Sequence, residues 1–146
     1  MPAGSTVQDA LATLLSNKQR KITVAAKIGD VIADYTTPLD VDTVLTPVQI
    51  GSDEALEILR HSTAHVMALA VRDVFGKDVK VAIGPSIENG FYYDFLRDEP
   101  FSPEDFEKIE TRMTELVREA LPFMRTELQS ADAIKKFSDE QERFKV

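Results

Sequence analysis

The hydrophobic pattern of this 146-residue chain changes character at Gly51. Before Gly51, one short helical repeat of apolar residues is followed by brief alternating runs that are typical of strands. After Gly51, a much longer helical repeat comes first, and the chain contains no internal repeat and no Gly/Ser linker. The sequence therefore predicts an α+β protein with two small domains, residues 1–51 and 52–146.

The first predicted domain is a small helix packed on a sheet. Apolar residues recur at helical spacing from Val7 to Leu15, and either Ser5 or Thr6 can cap this helix. The predicted strands are residues 22–26, 31–35 and 44–50, the last of them broken by Pro47. Between helix and sheet lies a basic cluster, which consists of Lys18, Arg20, Lys21 and Lys27. This basic cluster indicates either a solvated turn after the helix or a surface that faces RNA.

The second predicted domain opens with a long helix that Ser52 caps and Gly76 ends. Its predicted buried stripe consists of Leu56, Leu59, Thr63, Met67, Ala70 and Val74. A hairpin should follow, in which the loop 84–90 joins an alternating run at 79–83 to an aromatic strand at 91–95.

The clearest helix start in the chain is Ser102. Pro103 suits the first helical position, Asp105 can complete a capping box, and Phe101 can pack against Phe106 across the cap. This helix should end at Leu121 and Pro122. The remaining predicted elements are a strand at 123–128, a short helix capped by Ser130, and a strand that begins at 144–146.

Composition excludes several classes of protein. With 43% apolar residues the chain can bury a core, and with no cysteine it can form neither disulfides nor thiolate metal sites. Lys and Arg number 17 against 25 Asp and Glu, and the acidic surplus lies mainly after Gly51, where it repels a phosphate backbone. No apolar run approaches the roughly 20 residues of a membrane span. We therefore expect a cytoplasmic protein with no membrane partner.

Both histidines of the chain, His61 and His65, lie four residues apart on one face of the long helix. A zinc site would need further ligands, and Glu57, one turn earlier, is the local candidate. Neutral imidazoles can equally orient water or a hydroxyl group and exchange protons with it. The spacing alone leaves both the metal and the water hypotheses open.

The aromatic strand places Tyr92 and Tyr93 on opposite sides, so one phenol can face the core while its hydroxyl reaches a polar pocket. By itself, this segment is better explained as a turn with core-filling aromatic residues. Lys145 is, on its own, an ordinary lysine near the end of the chain. The sequence has no Walker-type loop and no Ser-His-Asp arrangement, so nucleotide hydrolysis and ordinary nucleophilic catalysis lose their usual support.

Two segments, LRHSTAH at 59–65 and IGPSIENGFYYD at 83–94, resemble bacterial threonyl-tRNA synthetases. The similarity continues through 101–106, 109–113 and 144–145, and it covers essentially the whole chain. The first fifty residues resemble a TGS domain. The resemblance implies a ubiquitin-like β-grasp (TGS-type) module at 1–51 that lacks its first hairpin. It also implies, at 52–146, the incomplete first part of an α/β editing domain with a long His-bearing helix and a β-hairpin.

The resemblance also implies a chemistry. Such a synthetase attaches threonine to its tRNA, and its editing domain hydrolyses serine that was attached by mistake. The family motif assigns catalytic roles to His61, His65, Tyr93 and Lys145. His61 would contact the terminal ribose hydroxyl or the attacking water, and His65 would shape the same cluster. Tyr93 would position water or the seryl group, and Lys145 would balance charge on the ester oxygen.

The partners implied by the resemblance are the acceptor end of tRNA(Thr) carrying serine and the remaining domains of the synthetase, which would be a homodimer, with this chain alone a monomer. No cofactor or metal is expected here, and ATP, Mg and Zn would belong to the catalytic domain. Because the family's downstream Cys-x-x-x-His segment and catalytic core are absent, we expect no aminoacylation and little or no editing by this chain alone. Two alternatives are a freestanding editing protein that acts in trans and a non-catalytic TGS-type module that binds RNA or protein.

Overall fold

The computed structural model describes residues 4–76, 78–123 and 126–139. It combines helices with small antiparallel sheets, which confirms the predicted α+β class. The chain divides into two compact units, Met1–Leu59 and Arg60–Val146. The assignment of residues 1–51 and 52–146 to particular domains stays a prediction. No helix within the described ranges combines the length and the apolar composition that a membrane span requires.

The described helices are α1 (Val7–Leu14), α2 (Asn17–Ile22), α3 (Asp53–Phe75), α4 (Pro103–Glu119) and α5 (Ser130–Asp139). The first unit contains the strands β1 (Ser5–Thr6), β2 (Thr23–Ile28), β3 (Val31–Ala33), β4 (Pro38–Leu39) and β5 (Leu45–Gln49). The second unit contains the strands β6 (Lys80–Val81), β7 (Ser86–Ile87), β8 (Gly90–Phe91) and β9 (Phe95–Leu96).

In the first unit, a three-stranded antiparallel sheet has the order β3-β2-β5, and α1 packs against it. The predicted cap of α1 is confirmed. Thr6 and Asp9 form a capping box, and the hydrogen bonds from Thr6 lower the pKa of Asp9. The apolar face of α1 presents Val7 and Leu11 to Ala26 of β2.

Two predictions for the first unit were wrong. The strand β5 is not broken by Pro47, which lies within it opposite Ala26. A proline is tolerated there because β5 is an edge strand, where a missing N–H donor need not interrupt a ladder. The segment predicted as a basic turn is instead the helix α2, capped by Ser16 with Gln19 in a second capping box.

In the second unit, α3 packs against α4 and the hairpin strands through a core that centres on Val71, Val79 and Ile109. The predicted stripe of α3 was partly wrong, since Leu56 is 44% exposed and Leu59 60% exposed. The buried residues of α3 are Ala55, Ala64, Ala68, Ala70 and Val71. Apolar residues surround much of this helix, so periodicity alone could not select the face, and small alanines allow the closest packing.

The predicted start of α4 is confirmed. The carboxylate of Asp105 accepts a hydrogen bond from the backbone N–H of Ser102 at 3.1 Å, and Pro103 occupies the first helical position. Phe106, predicted to pack across the cap, is 55% exposed. Arg112 joins α4 to α3 through an ion pair with Asp73 at 2.8 Å.

The hairpin of the second unit is confirmed in outline, but its turn is shorter than predicted. Strand β6 pairs with β9, strand β7 pairs with β8, and the reversal occurs at Glu88 and Asn89. Of the strand predicted at 123–128, the described residues 123 and 126–128 are not in a strand. The short helix α5 is present, with no buried residue. The strand predicted to begin at 144–146 lies outside the described residues.

Candidate functional site

The two histidines form a hydrogen-bonded pair on α3. Four residues advance an α-helix by slightly more than one turn, so the side chains of His61 and His65 stand one above the other. Their Nε2 atoms lie 2.9 Å apart, and their rings meet edge to face with centroids 4.5 Å apart. Both residues are exposed, so the pair is open to solvent and to a ligand.

This contact restricts the tautomers of the pair. A neutral imidazole has one N–H donor and one acceptor nitrogen, so in the neutral pair one Nε2 donates and the other accepts. The Nδ1 atoms must then differ as well, because one ring has an accepting Nδ1 and the other a donating Nδ1. The pair can therefore accept a proton at one position and donate one at another.

Tyr93 approaches the histidine pair from the hairpin. Its ring meets that of His65 edge to face, with centroids 6.5 Å apart, and stacks on Phe95 at 5.3 Å. Tyr93 is half-buried, whereas Tyr92 is 48% exposed. The continuous strand predicted at 91–95 was wrong, because residues 92–94 lie between β8 and β9. The two phenols still differ in exposure, and Tyr93 is the one that packs against His65 and Phe95.

Beside Tyr93 lies an open cavity of about 330 Å³. Its walls are mainly apolar and include Met67, Val71, Tyr93, Phe95, Phe101 and Glu110. A volume of this order is at the lower end of the range for small-molecule sites. The ring of Tyr93 thus lines an apolar cavity and also contacts the imidazole of His65.

The structure brings together three of the four predicted site residues, His61, His65 and Tyr93. Lys145 lies outside the described residues. Within the described part of the chain, no group of three His, Cys, Asp or Glu side chains is placed to hold a metal ion. The hypothesis of a metal site at Glu57 and the two histidines therefore gains no support from the geometry.

Sequence reasoning missed the role of Gly84 at this site. Its place in the predicted loop 84–90 indicates only a turn, but its backbone lies directly against the ring of Tyr93. The signal was present in the sequence, because a glycine next to an alternating strand pattern often marks a bulge or a close approach.

The basic cluster of the first unit is divided between two elements. Lys18, Arg20 and Lys21 lie on α2 and are exposed. Lys27 lies on β2 and forms an ion pair with Glu54 at 3.3 Å. An acidic partner thus neutralises one of the four charges that a surface facing RNA would use.

Comparisons with known proteins support the predicted resemblance. No family model matches the chain. Threonine–tRNA ligase of Maridesulfovibrio salexigens is 49% identical over 144 residues, which are 98% of this chain and 22% of that protein. The enzyme of the same name from Lawsonia intracellularis is 46% identical over 90% of the chain and 21% of its own length. The one from Geobacter sp. (strain M21) is 48% identical over 100% of the chain and 23% of its length.

These relatives confirm the resemblance to threonyl-tRNA synthetase along nearly the whole chain. The chain spans about a fifth of the length of the curated relatives it matches.

Proposed function

Because this chain matches threonine–tRNA ligases over nearly its whole length, we propose that it is an N-terminal part of such an enzyme. The parent enzyme attaches threonine to its tRNA with ATP, and this part contributes to the hydrolysis of serine attached to tRNA(Thr) by mistake. The observation that carries the editing role is the contact between His61 and His65, with Tyr93 beside it.

An editing site overcomes a physical limit on how well one binding pocket can distinguish serine from threonine. Serine lacks one methyl group of threonine, and a difference of this size in a binding pocket supplies only about 1–3 kcal/mol of discrimination. A second pocket that admits the smaller amino acid and hydrolyses its ester removes the errors of the first. The open cavity beside Tyr93 is a candidate for the binding of part of this ester.

Hydrolysis requires a base near the ester. Water attacks the carbonyl carbon of the seryl ester, the bond to the ribose oxygen breaks, and a proton passes from the water to that oxygen. In the tautomer where His61 donates from Nε2 to His65, the Nδ1 of His61 is an acceptor suited to receive the proton from water or from the terminal ribose hydroxyl. His65 holds this tautomer, and Tyr93 positions the water or the seryl group. Lys145 balances charge on the ester oxygen in this proposal.

The domain assignment is part of the same proposal. Residues 1–51 are a TGS-type β-grasp module, supported by a helix packed on an antiparallel sheet. Residues 52–146 are the first part of the editing domain. The partners are the seryl end of tRNA(Thr) and the other domains of the synthetase, which is a cytoplasmic homodimer. ATP, Mg and Zn serve its catalytic domain, while this part uses no cofactor.

The test is the hydrolysis of seryl-tRNA(Thr), which is measured as the release of labelled serine. It compares the 146-residue chain with a longer polypeptide that continues through the family's Cys-x-x-x-His segment. We expect hydrolysis by the longer polypeptide and loss of this activity in His61→Ala. Glu57→Gln is the matched control on the same helix, and it should leave the rate unchanged. Undiminished hydrolysis in His61→Ala would remove that residue from the mechanism, and loss in Glu57→Gln would revive the metal hypothesis.

A second candidate is a non-catalytic module that binds RNA or protein. The observation in its favour is the helix α2, a capped element that presents three exposed basic side chains. Salt-dependent binding of tRNA without esterase activity in either polypeptide would favour this candidate. If the chain is instead a freestanding editing protein that acts in trans, the 146 residues alone should hydrolyse the ester.

A further inference from the structure

Gly84 lies at an irregular point of the hairpin, opposite Tyr93. Between the pair Val81–Phe95 and the pair Ser86–Phe91, the first strand advances five residues and the second advances four. The extra residue is therefore in the strand that contains Gly84, as in a β-bulge. Asp94 accepts a hydrogen bond from the N–H of Ala82 and donates one to the carbonyl of Ile83, each 2.9 Å, so the extra residue lies just before Gly84.

The position of Gly84 leaves no room for a side chain. A Cβ atom there would lie 2.5 Å from Cγ of Tyr93 and closer still to Cδ2 and Cε2. Cγ is attached directly to Cβ of the tyrosine, so a small rotation at the far end of the ring cannot relieve this contact. Either the whole ring or the strand must move.

Backbone conformation does not explain the glycine. The glycines with positive φ in the described part of the chain are Gly4, Gly29, Gly51 and Gly76. An L-residue at position 84 would therefore meet no strain from φ, and the requirement for glycine comes from the ring of Tyr93. Gly90, in the same hairpin, also has no positive φ, and a Cβ on it would meet no heavy atom within 4 Å.

The ring of Tyr93 has neighbours on other sides. It stacks on Phe95 and meets His65 edge to face. A ring displaced by a methyl group at position 84 therefore changes its distance from Phe95, from His65 or from both.

We propose that Gly84 is a positioning residue for Tyr93. The absence of a side chain at position 84 lets the Tyr93 ring lie against the hairpin backbone, and this sets the distance between the phenol and the histidine pair. The inference deepens the proposed editing function and rests on it for its catalytic consequence. Displacement of a positioning group by about 1 Å can lower a rate by about a hundredfold.

The first test is a double-mutant cycle on the stability of the 146-residue chain, measured by urea unfolding. Gly84→Ala should lower the unfolding midpoint, and Gly90→Ala should lower it much less. In a Tyr93→Ala background, Gly84→Ala should have no more effect than Gly90→Ala. If Gly84→Ala unfolds the chain, recovery of folding in the double variant supports the proposal. An equal loss of stability with and without the tyrosine ring would overturn it.

The second test follows the ring and the reaction separately. Nuclear Overhauser contacts between the rings of Tyr93 and His65 should weaken in Gly84→Ala and persist in Gly90→Ala. In the longer polypeptide, hydrolysis of seryl-tRNA(Thr) should fall between about tenfold and a hundredfold only in Gly84→Ala. Unchanged ring contacts would overturn the positioning role, whatever the activity. If the contacts between the rings weaken in Gly84→Ala but hydrolysis keeps its full rate, the catalytic consequence of the Gly84 position is overturned. If these contacts weaken in a protein that never hydrolyses the ester, the positioning role is supported and the editing proposal is contradicted.

Discussion

His61 and His65 share a hydrogen bond between their Nε2 atoms, which lie 2.9 Å apart on one face of α3. Because one Nε2 must donate and the other accept, the two rings have unequal roles even though they are the same residue type. One histidine can act on water while the other fixes its tautomer. Because the two histidines have different roles, we expect different effects when each is replaced.

We predict that His65→Ala lowers hydrolysis of seryl-tRNA(Thr) less than His61→Ala does. Loss of a general base costs about 10²- to 10⁴-fold in rate, whereas loss of the residue that orients it leaves the base in place. Single-turnover rates of the two variants in the longer polypeptide provide the measurement. A larger loss in His65→Ala would reverse the assignment of base and orienting residue.

The structure also shows why only part of this site was predictable from the sequence. The helix caps at Thr6, Ser102 and Ser52 are local patterns, and the structure confirms them. The approach of Tyr93 to His65 depends on how a hairpin packs against a helix, which spacing along the chain does not encode. It was predicted only from the resemblance to a family.

Two of the wrong predictions also concern features that depend on tertiary packing. Whether a strand continues through Pro47 depends on its place at the edge of the sheet, and that place is a property of the tertiary structure. The buried face of α3 depends on which side chains are small enough for close packing, so Ala64 is buried while Leu59 stays exposed. Local periodicity contains neither kind of information.

The second prediction concerns Asp105 and pH. The hydrogen bond from the backbone of Ser102, the side chain of Lys108 and the guanidinium of Arg97 hold the pKa of Asp105 at about 2. A carboxylate with a lowered pKa stabilises the folded state fully above its unfolded pKa, about 3.9, and loses this contribution as the pH falls towards 2.

Asp105→Asn should therefore lower the unfolding midpoint most at pH values above about 4, and the difference from the unaltered chain should shrink towards pH 2. Urea unfolding over this range provides the measurement. Glu107→Gln, an exposed change in the same helix, is the control and should have little effect. A difference that stays constant with pH would show that the charge of Asp105 is not what stabilises the helix start.

The third prediction concerns Arg112, which bonds Asp73 of α3 through Nε at 2.8 Å. Its Nη1 bonds Glu115 at 3.0 Å and Glu119 at 2.8 Å. A lysine has a single ammonium group and cannot reproduce this geometry. Arg112→Lys should lower the unfolding midpoint, and Arg118→Lys, on an exposed position of the same helix, should not. Equal effects of the two changes would mean that Arg112 contributes only its charge.

The fourth prediction concerns the basic helix α2. The chain has a net charge of −8, and Lys27 already pairs with Glu54. We expect the 146-residue chain to bind tRNA weakly at physiological salt, and Lys18→Glu with Lys21→Glu to change this binding little. Fluorescence anisotropy over a series of salt concentrations provides the measurement. Tight binding that these changes abolish would favour the RNA-binding module instead.

The most direct measurement compares the hydrolysis of seryl-tRNA(Thr) and threonyl-tRNA(Thr) by one polypeptide that extends through the Cys-x-x-x-His segment, with and without His61→Ala. We predict that the serine ester is cleaved much faster than the threonine ester, and that His61→Ala abolishes the difference by removing the fast reaction. Equal rates on the two esters, or fast cleavage of the serine ester without His61, would contradict it.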